Sequence, residues 1–411
     1  MKHIIILGDG MSDMPVERLG GLTPLQYAST PAMDTLAKRG RSGLLATVPE
    51  GYAPGSEVAN TAILGYDLDK VYEGRGPLEA ASIGYEMAPD DMAMRCNIIT
   101  LADGKIQNHH GGHLSTDEGR QLIEYLDSRL GNDRVKFIPG IQYRHLLVIK
   151  GGSKYVECAP PHDNPGAQWS PLMVKPMEGA PEEPGRMTAA ETADLINDLI
   201  IKSQQLLQEH PLNIARQQQG KPQANSIWPW SGGYRPRMAT LQQRYPKVKT
   251  GSVISAVDLI RGIGHYAGLK TIIVEGATGL ADTNYEGKTR AAIDALTHDD
   301  FVFLHVEATD EAGHDGDLDL KLKAIEYLDR RVVAPLLDYI DASGEDIAVA
   351  LLPDHATPVE SRIHVAAPVP FTVWHPGIAP DPVTAYSEAD CTGGDCGNLR
   401  LAEFMRLFMS L

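Results

Sequence analysis

Cysteine is scarce in this chain of 411 residues, with four in all, and aromatic residues make up only 6%. Cys96 and Cys158 stand alone. Cys391 and Cys396 lie close, as Cys-Thr-Gly-Gly-Asp-Cys, but lack the second ligand pair of a sequence-readable zinc site. All four read as free thiols of a reducing compartment. Long hydrophobic runs are also missing. The opening MKHIIILGDGMSD has four consecutive apolar residues before Gly8, too few for a signal peptide, and no later stretch reaches the roughly 20 residues of a membrane span. The expectation is a cytoplasmic protein. Positive charge is outnumbered, 37 Lys and Arg against 54 Asp and Glu, for a net −17. That balance argues against general affinity for nucleic acid or an anionic membrane. Nucleotide motifs are missing too: GDGMSD breaks Gly-x-Gly-x-x-Gly at its last position, and no Gly-x4-Gly-Lys-Ser/Thr occurs. No internal repeat is evident.

What is present is enough apolar residue, 43%, to bury a sizeable core. The length favours two domains. Short continuous apolar runs at 4–7, 271–274, 301–306 and 347–352 each lead into a Gly/Asp/His loop. Continuous rather than alternating runs predict strands covered on both faces, as in a parallel sheet. Helical patterns at 31–39, 253–266, 289–296 and 320–339 lie between them. Strand alternating with helix predicts a doubly wound, mostly parallel α/β sheet, whose ligands bind beyond the carboxyl ends of the strands. The stretch from 87 to 230 is different, broken by APPHDNPG and GAPEEPGR, with strands at 94–101 and 145–150 and helices at 117–130 and 188–209. It reads as an α+β domain inserted into a catalytic domain made of 1–86 and 231–411, with QQQGKPQ an exposed turn between the two.

Asp9, Asp310, His314, Asp354, His355 and His364 all fall at or just past strand ends. Singly, each reads as a turn residue, a helix cap or an ordinary histidine. Together at adjacent strand tips the acids would repel, and divalent cations resolve the conflict. Mixed carboxylate and imidazole donors suit Mn²⁺ or Zn²⁺ better than Ca²⁺, and two such ions can clamp the oxygens of a phosphoryl group in transfer. Asp310-x-x-x-His314 puts both side chains on one face if the segment is helical. A nucleophile is available in YAPGSEVANTAILGYD, where Ser56 opens a predicted helix over 57–64. It reads either as an N-cap or as a hydroxyl, activated by a metal ion, at a phosphate-binding helix N-terminus. Asn60, one turn on, is placed to hydrogen-bond a phosphate oxygen. HHGGH at 109–113 is either a polar loop or a third metal site, and Phe404, Met405, Phe408 and Met409 read as the core face of a last helix.

The stretches ILGDGMSD, TPAMDTLAKRGRSGLL, PGSEVANTAILGYD, GRGPLEAASIG, MRCNIIT, EGKTRAAIDAL, DEAGHDGD and PDHATP resemble the archaeal-type, 2,3-bisphosphoglycerate-independent phosphoglycerate mutases of the alkaline phosphatase superfamily. The resemblance implies a sheet of alkaline phosphatase type and two divalent ions, Mn²⁺ or Zn²⁺, or else Mg²⁺, with no 2,3-bisphosphoglycerate. It implies that Asp9, Ser56, Asp354 and His355 hold one metal, that Asp310, His314 and His364 hold the other, and that Ser56 accepts the phosphoryl group. It further implies a small phosphorylated substrate, interconversion of 3- and 2-phosphoglycerate in glycolysis and gluconeogenesis, and phosphate contact by Lys288. His162 and Asp163 in PPHDNPG are either acid–base groups or solvated loop residues. Arg75 and Arg95 are either substrate contacts or structural ion pairs. No oligomeric state is implied.

One departure matters. IWPWSGGYRPRM places Trp230 and Ser231 where the family tends to carry a phosphate-clamping arginine, with Arg235 and Arg237 nearby as substitutes. A Trp-rich rim would offer a stacking face to a nucleotide base. It keeps a second reading open, an ATP-dependent small-molecule kinase such as a homoserine kinase of threonine biosynthesis, using the same serine and metals.

Overall fold

Ile4, Ile5, Ile6 and Leu7 are fully buried in the strand Lys2–Gly8, which pairs in parallel with Phe301–Val306 on one side and Ile347–Leu352 on the other. Both neighbours are buried along their whole length. Runs of β-branched and aliphatic residues form strands here because helices cover both faces. Each such side chain removed from water contributes about 1.5–3 kcal/mol.

The computed structural model describes residues 1–411, which divide into two units, Met1–Tyr72 with Arg237–Leu411 and, separately, Glu73–Pro236. In the first unit an eight-stranded sheet runs in the order Lys270–Ile272, Gly251–Ile254, Phe301–Val306, Lys2–Gly8, Ile347–Leu352, Val369–Trp374, Arg41–Ala46, Gly397–Arg400. Only Val369–Trp374 is antiparallel to its neighbours. The order leaps outward from Lys2–Gly8 in both directions, as a doubly wound sheet requires. The second unit has an antiparallel sheet built on the long strand Asp91–Ala102, covered by the helices Thr116–Leu130 and Ala189–Gln208.

Several boundaries differ from the sequence expectation, each for a local reason. The units divide at 72/73 and 236/237 rather than at 86/87 and 230/231. Helix Arg75–Ser82 goes with the second unit because Gly76 lets it press directly on the backbone of Ala93. The turn 217–223 lies inside the second unit, joining helix Pro211–Gln218 to strand Ser226–Gly233, and not between the units. The helix predicted over 253–266 begins at Asp258, since Val253 and Ile254 finish a buried strand paired with Phe303 and Leu304. The strand predicted over 271–274 ends at Ile272, beyond which Ile273 is exposed. The helix predicted over 320–339 runs from Leu318, loosens into a π turn at Asp329–Val333 and resumes as Ala334–Ser343. Pro335, with no N–H to give, accounts for the break. Asp329 uses it to accept the Met33 N–H at 2.7 Å, capping helix Pro31–Arg39.

Buried Lys321 ties the sheet-edge loops together. Its ammonium donates to the Ser12 and Thr357 carbonyls at 3.2 and 2.7 Å and to Asp13 at 2.8 Å.

Candidate active site

Asp9 follows directly on strand Lys2–Gly8, and its N–H donates to the Val306 carbonyl at 2.9 Å. The chain then turns at Gly10, with φ +58°, where a Cβ would run into the Asp310 carboxylate and Thr357. Only glycine combines that conformation with that approach. Asp354 lies past strand Ile347–Leu352, and its Oδ1 accepts the Gly10 and His355 N–H groups at 3.0 and 2.9 Å. Asp9, Asp354 and His355, all fully buried, bring one ligand atom each to within 4.8 Å of one another.

The second cluster is Asp310, His314 and His364. Helix Ala308–Asp315 sets Asp310 and His314 on one face, with Asp310 Oδ2 3.2 Å from His314 Nε2. His364 Nε2 lies 3.4 Å from the other oxygen of Asp310 and 2.8 Å from His314 Nε2. The two clusters adjoin through the rings of His355 and His364, 4.0 Å apart.

The donor chemistry fits divalent ions. His314 Nδ1 lies 3.0 Å from the Arg362 carbonyl, His364 Nδ1 3.3 Å from the Pro54 carbonyl, and His355 Nδ1 3.2 Å from Thr357 Oγ1. The Thr357 hydroxyl is itself spent on Asp310. Each Nδ1 therefore carries its proton toward an acceptor and leaves Nε2 a lone pair facing its cluster, the usual outer-shell arrangement of a ligating imidazole. Asp9 reports the crowding of negative charge. Burial, then Asp354, Asp310 and Glu307, pushes Asp9 well above the usual carboxylate range. Without an ion the same Nε2 atoms can carry protons instead. Burial opposes ionisation of Asp310, yet hydrogen bonds from His314 and His364 then hold it well below that range, and Asp310 holds His314 up at about 9. A metal ion would displace these protons.

Ser56 is the first residue of helix Ser56–Ile63, and Gly55, not Ser56, is its cap. With no capping bond to make, Ser56 Oγ sits 3.3 Å from His355 Nε2 and 3.4 Å from Asp9 Oδ1. Asn60 is not free for a phosphate. It is fully buried, and its amide donates to Asp354 Oδ2 and to the Ser56 carbonyl, both at 2.8 Å. Lys288 is also fully buried, donating to the His305 carbonyl at 3.1 Å, and burial pushes its ammonium down to about 8.

In the second unit, His162 and Asp163 occupy the short turn Pro161–Asp163, 3.5 Å apart. Burial, aided by the positive charge of Arg95 and Arg75, lowers His162. Arg95 pairs with Glu79 at 2.9 Å and lies 4.6 Å from the centre of the Trp230 ring. Arg75 donates its backbone N–H to Ser231 Oγ at 3.0 Å, and Arg235 is exposed. The tryptophans form no stacking rim. Trp230, 5% exposed, donates to Asn97 Oδ1 at 3.1 Å and has the His162 ring 5.0 Å away, while Trp228 is 2% exposed. Aromatic residues in an otherwise polar stretch suggested an open face; packing within the unit has covered it.

Sequence reading missed His305, Thr309 and Thr357. His305 Nε2 lies 2.9 Å from Asp9 Oδ2, and Thr309 Oγ1 donates to the Asp9 carbonyl. The available signal was an imidazole inside the otherwise apolar run FVFLHV, where a polar group needs a partner.

A mostly parallel, doubly wound sheet with two carboxylate–imidazole clusters at its carboxyl edge, and a serine oxygen beside them, defines the class of metal-dependent phosphoryl-transfer enzymes. The family described as 2,3-bisphosphoglycerate-independent phosphoglycerate mutase matches residues 37–213. A protein of that name from Methanosarcina acetivorans is 46% identical over 413 residues, covering 100% of both chains. A probable one from Geobacter sulfurreducens is 48% identical over 378 residues, 91% of this chain and 90% of its own. Among solved structures, a Pyrococcus horikoshii protein superposes with a TM-score of 0.82 at 30% identity, over 100% of this chain and 96% of its own. The cofactor-independent phosphoglycerate mutase of Thermoplasma acidophilum shares the fold, with a TM-score of 0.69 at 24% identity over 100% and 99% of the two chains. The chain belongs to the 2,3-bisphosphoglycerate-independent phosphoglycerate mutase family.

Proposed function

We propose that this protein interconverts 3-phosphoglycerate and 2-phosphoglycerate, without 2,3-bisphosphoglycerate, through a phosphoserine at Ser56. The carrying observation is the Ser56 oxygen, at a helix N-terminus and within 3.4 Å of both Asp9 and His355. Asp9, Asp354 and His355, with Ser56, would hold one divalent ion and Asp310, His314 and His364 the other, Mn²⁺ or Zn²⁺ by their mixed oxygen and nitrogen donors. Such ions supply positive charge to the phosphoryl oxygens and lower the pKa of a coordinated hydroxyl.

The Ser56 oxygen attacks phosphorus in line. The bond from phosphorus to the glycerate oxygen breaks, and that oxygen takes up a proton. The glycerate then presents its other hydroxyl, which attacks phosphoserine, loses its proton and restores Ser56. His162 and Asp163 are the groups proposed to move the protons of the glycerate hydroxyls; His162, lowered from its ordinary value, is a neutral base near pH 7. Lys288, Arg75, Arg95 and Arg235 are proposed to contact the anionic substrate. Arg95 is already paired with Glu79, which supports orientation more than a free clamp. Asn60 is better assigned to holding Asp354 than to holding phosphate. A cytoplasmic location accords with this chemistry, and no helix is long and apolar enough to cross a membrane.

The test is an assay of purified protein with Mn²⁺ and no nucleotide. Conversion of 3-phosphoglycerate to 2-phosphoglycerate is expected, abolished by chelator and reduced by at least about 1,000-fold in Ser56→Ala. Failure there, with ATP consumed only when homoserine is present, would replace the mutase reading by a kinase.

A further inference from the structure

His305 has no assigned part in the chemistry, yet it is fully buried between two groups of the site. Its Nε2 is 2.9 Å from Asp9 Oδ2, its Nδ1 is 3.1 Å from Ser255 Oγ, and its carbonyl accepts the Lys288 ammonium at 3.1 Å. We infer that His305 is a positioning residue: its Nε2–H occupies one oxygen of Asp9, so that Asp9 offers only Oδ1 to a metal ion and to Ser56.

The hydrogen bonds fix the tautomer. Ser255 Oγ accepts the Val257 N–H at 3.0 Å and still has its own hydrogen to give to His305 Nδ1. A ligating carboxylate is ionised and can only accept, so the ring proton lies on Nε2, facing Asp9. The consequence is directional. Asp9 Oδ1 is the oxygen on the side of the cluster, 3.4 Å from Ser56 Oγ and 3.5 Å from His355 Nε2. Without the imidazole, Asp9 could rotate or bind an ion through both oxygens, and the distance from ion to serine would no longer be set. The same residue seats Lys288 through its carbonyl, so one strand end orients both the anionic ligand and the cation proposed for phosphate.

The inference rests on the proposed ligand set, and its test separates the two. Mn²⁺ is titrated calorimetrically into the metal-free full-length chain, first unmodified, then in two backgrounds. His364→Ala leaves the Asp9 cluster intact; Asp354→Asn leaves the Asp310 cluster. In the first background, His305→Leu is expected to weaken Mn²⁺ binding by about 10- to 100-fold, and His305→Gln, whose amide N–H reaches the same point, to recover most of the loss. In the second background neither variant changes the affinity. Equal losses for Leu and Gln, no loss for Leu, or the same loss in both backgrounds would each overturn the inference. If circular dichroism shows that His305→Leu does not fold, Ser255→Ala decides. Releasing the tautomer should weaken the Asp9 site alone, and an unchanged affinity sinks the idea. An unmodified chain that binds no Mn²⁺ would overturn the ligand set as well.

Discussion

Gly10 shows how much of the site depends on one missing side chain. The peptide that turns Asp9 away from its strand also gives the Gly10 N–H to Asp354, and it does so at a positive φ beside the Asp310 carboxylate. Gly10→Ala is expected to lower stability by about 1–3 kcal/mol, read as a shift in the denaturant midpoint of the full chain. It should also weaken both metal clusters, because the added carbon displaces Asp310 and Thr357 together. An unchanged midpoint would mean that the loop has room the structure does not show. Asn60 teaches a related lesson. Position on the helix placed it correctly beside Ser56, but whether its amide was free depended on Asp354, 294 positions away.

Secondary-structure elements are joined here by polar side chains from distant parts of the chain. Thr30 stands at the cap of helix Pro31–Arg39 without making a side-chain bond. Asp329, from the π turn, accepts the Met33 N–H instead and is 2% exposed. Asp329→Ala leaves a buried N–H without an acceptor and should cost about 1–3 kcal/mol. Asp329→Asn keeps an acceptor and should cost less. Because Asp329 touches none of the proposed catalytic groups, turnover of phosphoglycerate at low temperature should be unchanged in both variants. A loss of turnover without a loss of stability would contradict this assignment. The loosened helix is thus a consequence of Pro335 put to use by Asp329, and nothing in the local apolar period announced it.

At the scale of the molecule, two units with separate cores invite separate responses to pH. His145, in the sheet of the second unit, is 1% exposed and accepts the Gly140 N–H at 3.0 Å through Nδ1. Burial pushes it down from its ordinary 6.5 to about 3. Between those values the unfolded chain binds a proton that the folded chain does not. The stability of this unit is therefore full above pH 6.5 and is lost as pH falls toward 3, by about 1.4 kcal/mol for each pH unit at most. Hydrogen exchange in the full chain should show the amides of Asp91–Ala102 and Arg144–Lys150 losing protection over that range. His145→Gln, which does not titrate, should flatten the dependence. Equal pH dependence in the variant would assign the effect elsewhere.

Much of the catalytic sheet was legible because its signals are local. Short continuous aliphatic runs that break off at Gly, Asp and His loops read as strands covered on both sides, and a sheet built from such strands gathers its ligands at one edge. The acids and imidazoles at 9, 310, 314, 354, 355 and 364 therefore had to lie near one another. Tertiary structure alone decided which partner each of them took. The imidazole that faces Asp9 comes from 296 positions away, the lysine that braces Asp13 from 308, and the burial of Trp230 is set by Asn97 and Arg95 across a strand register. Composition and period determine what a segment must hide from water. Hydrogen-bond direction and side-chain contact depend on distances of a few tenths of an ångström, which exist only once the distant segments have met.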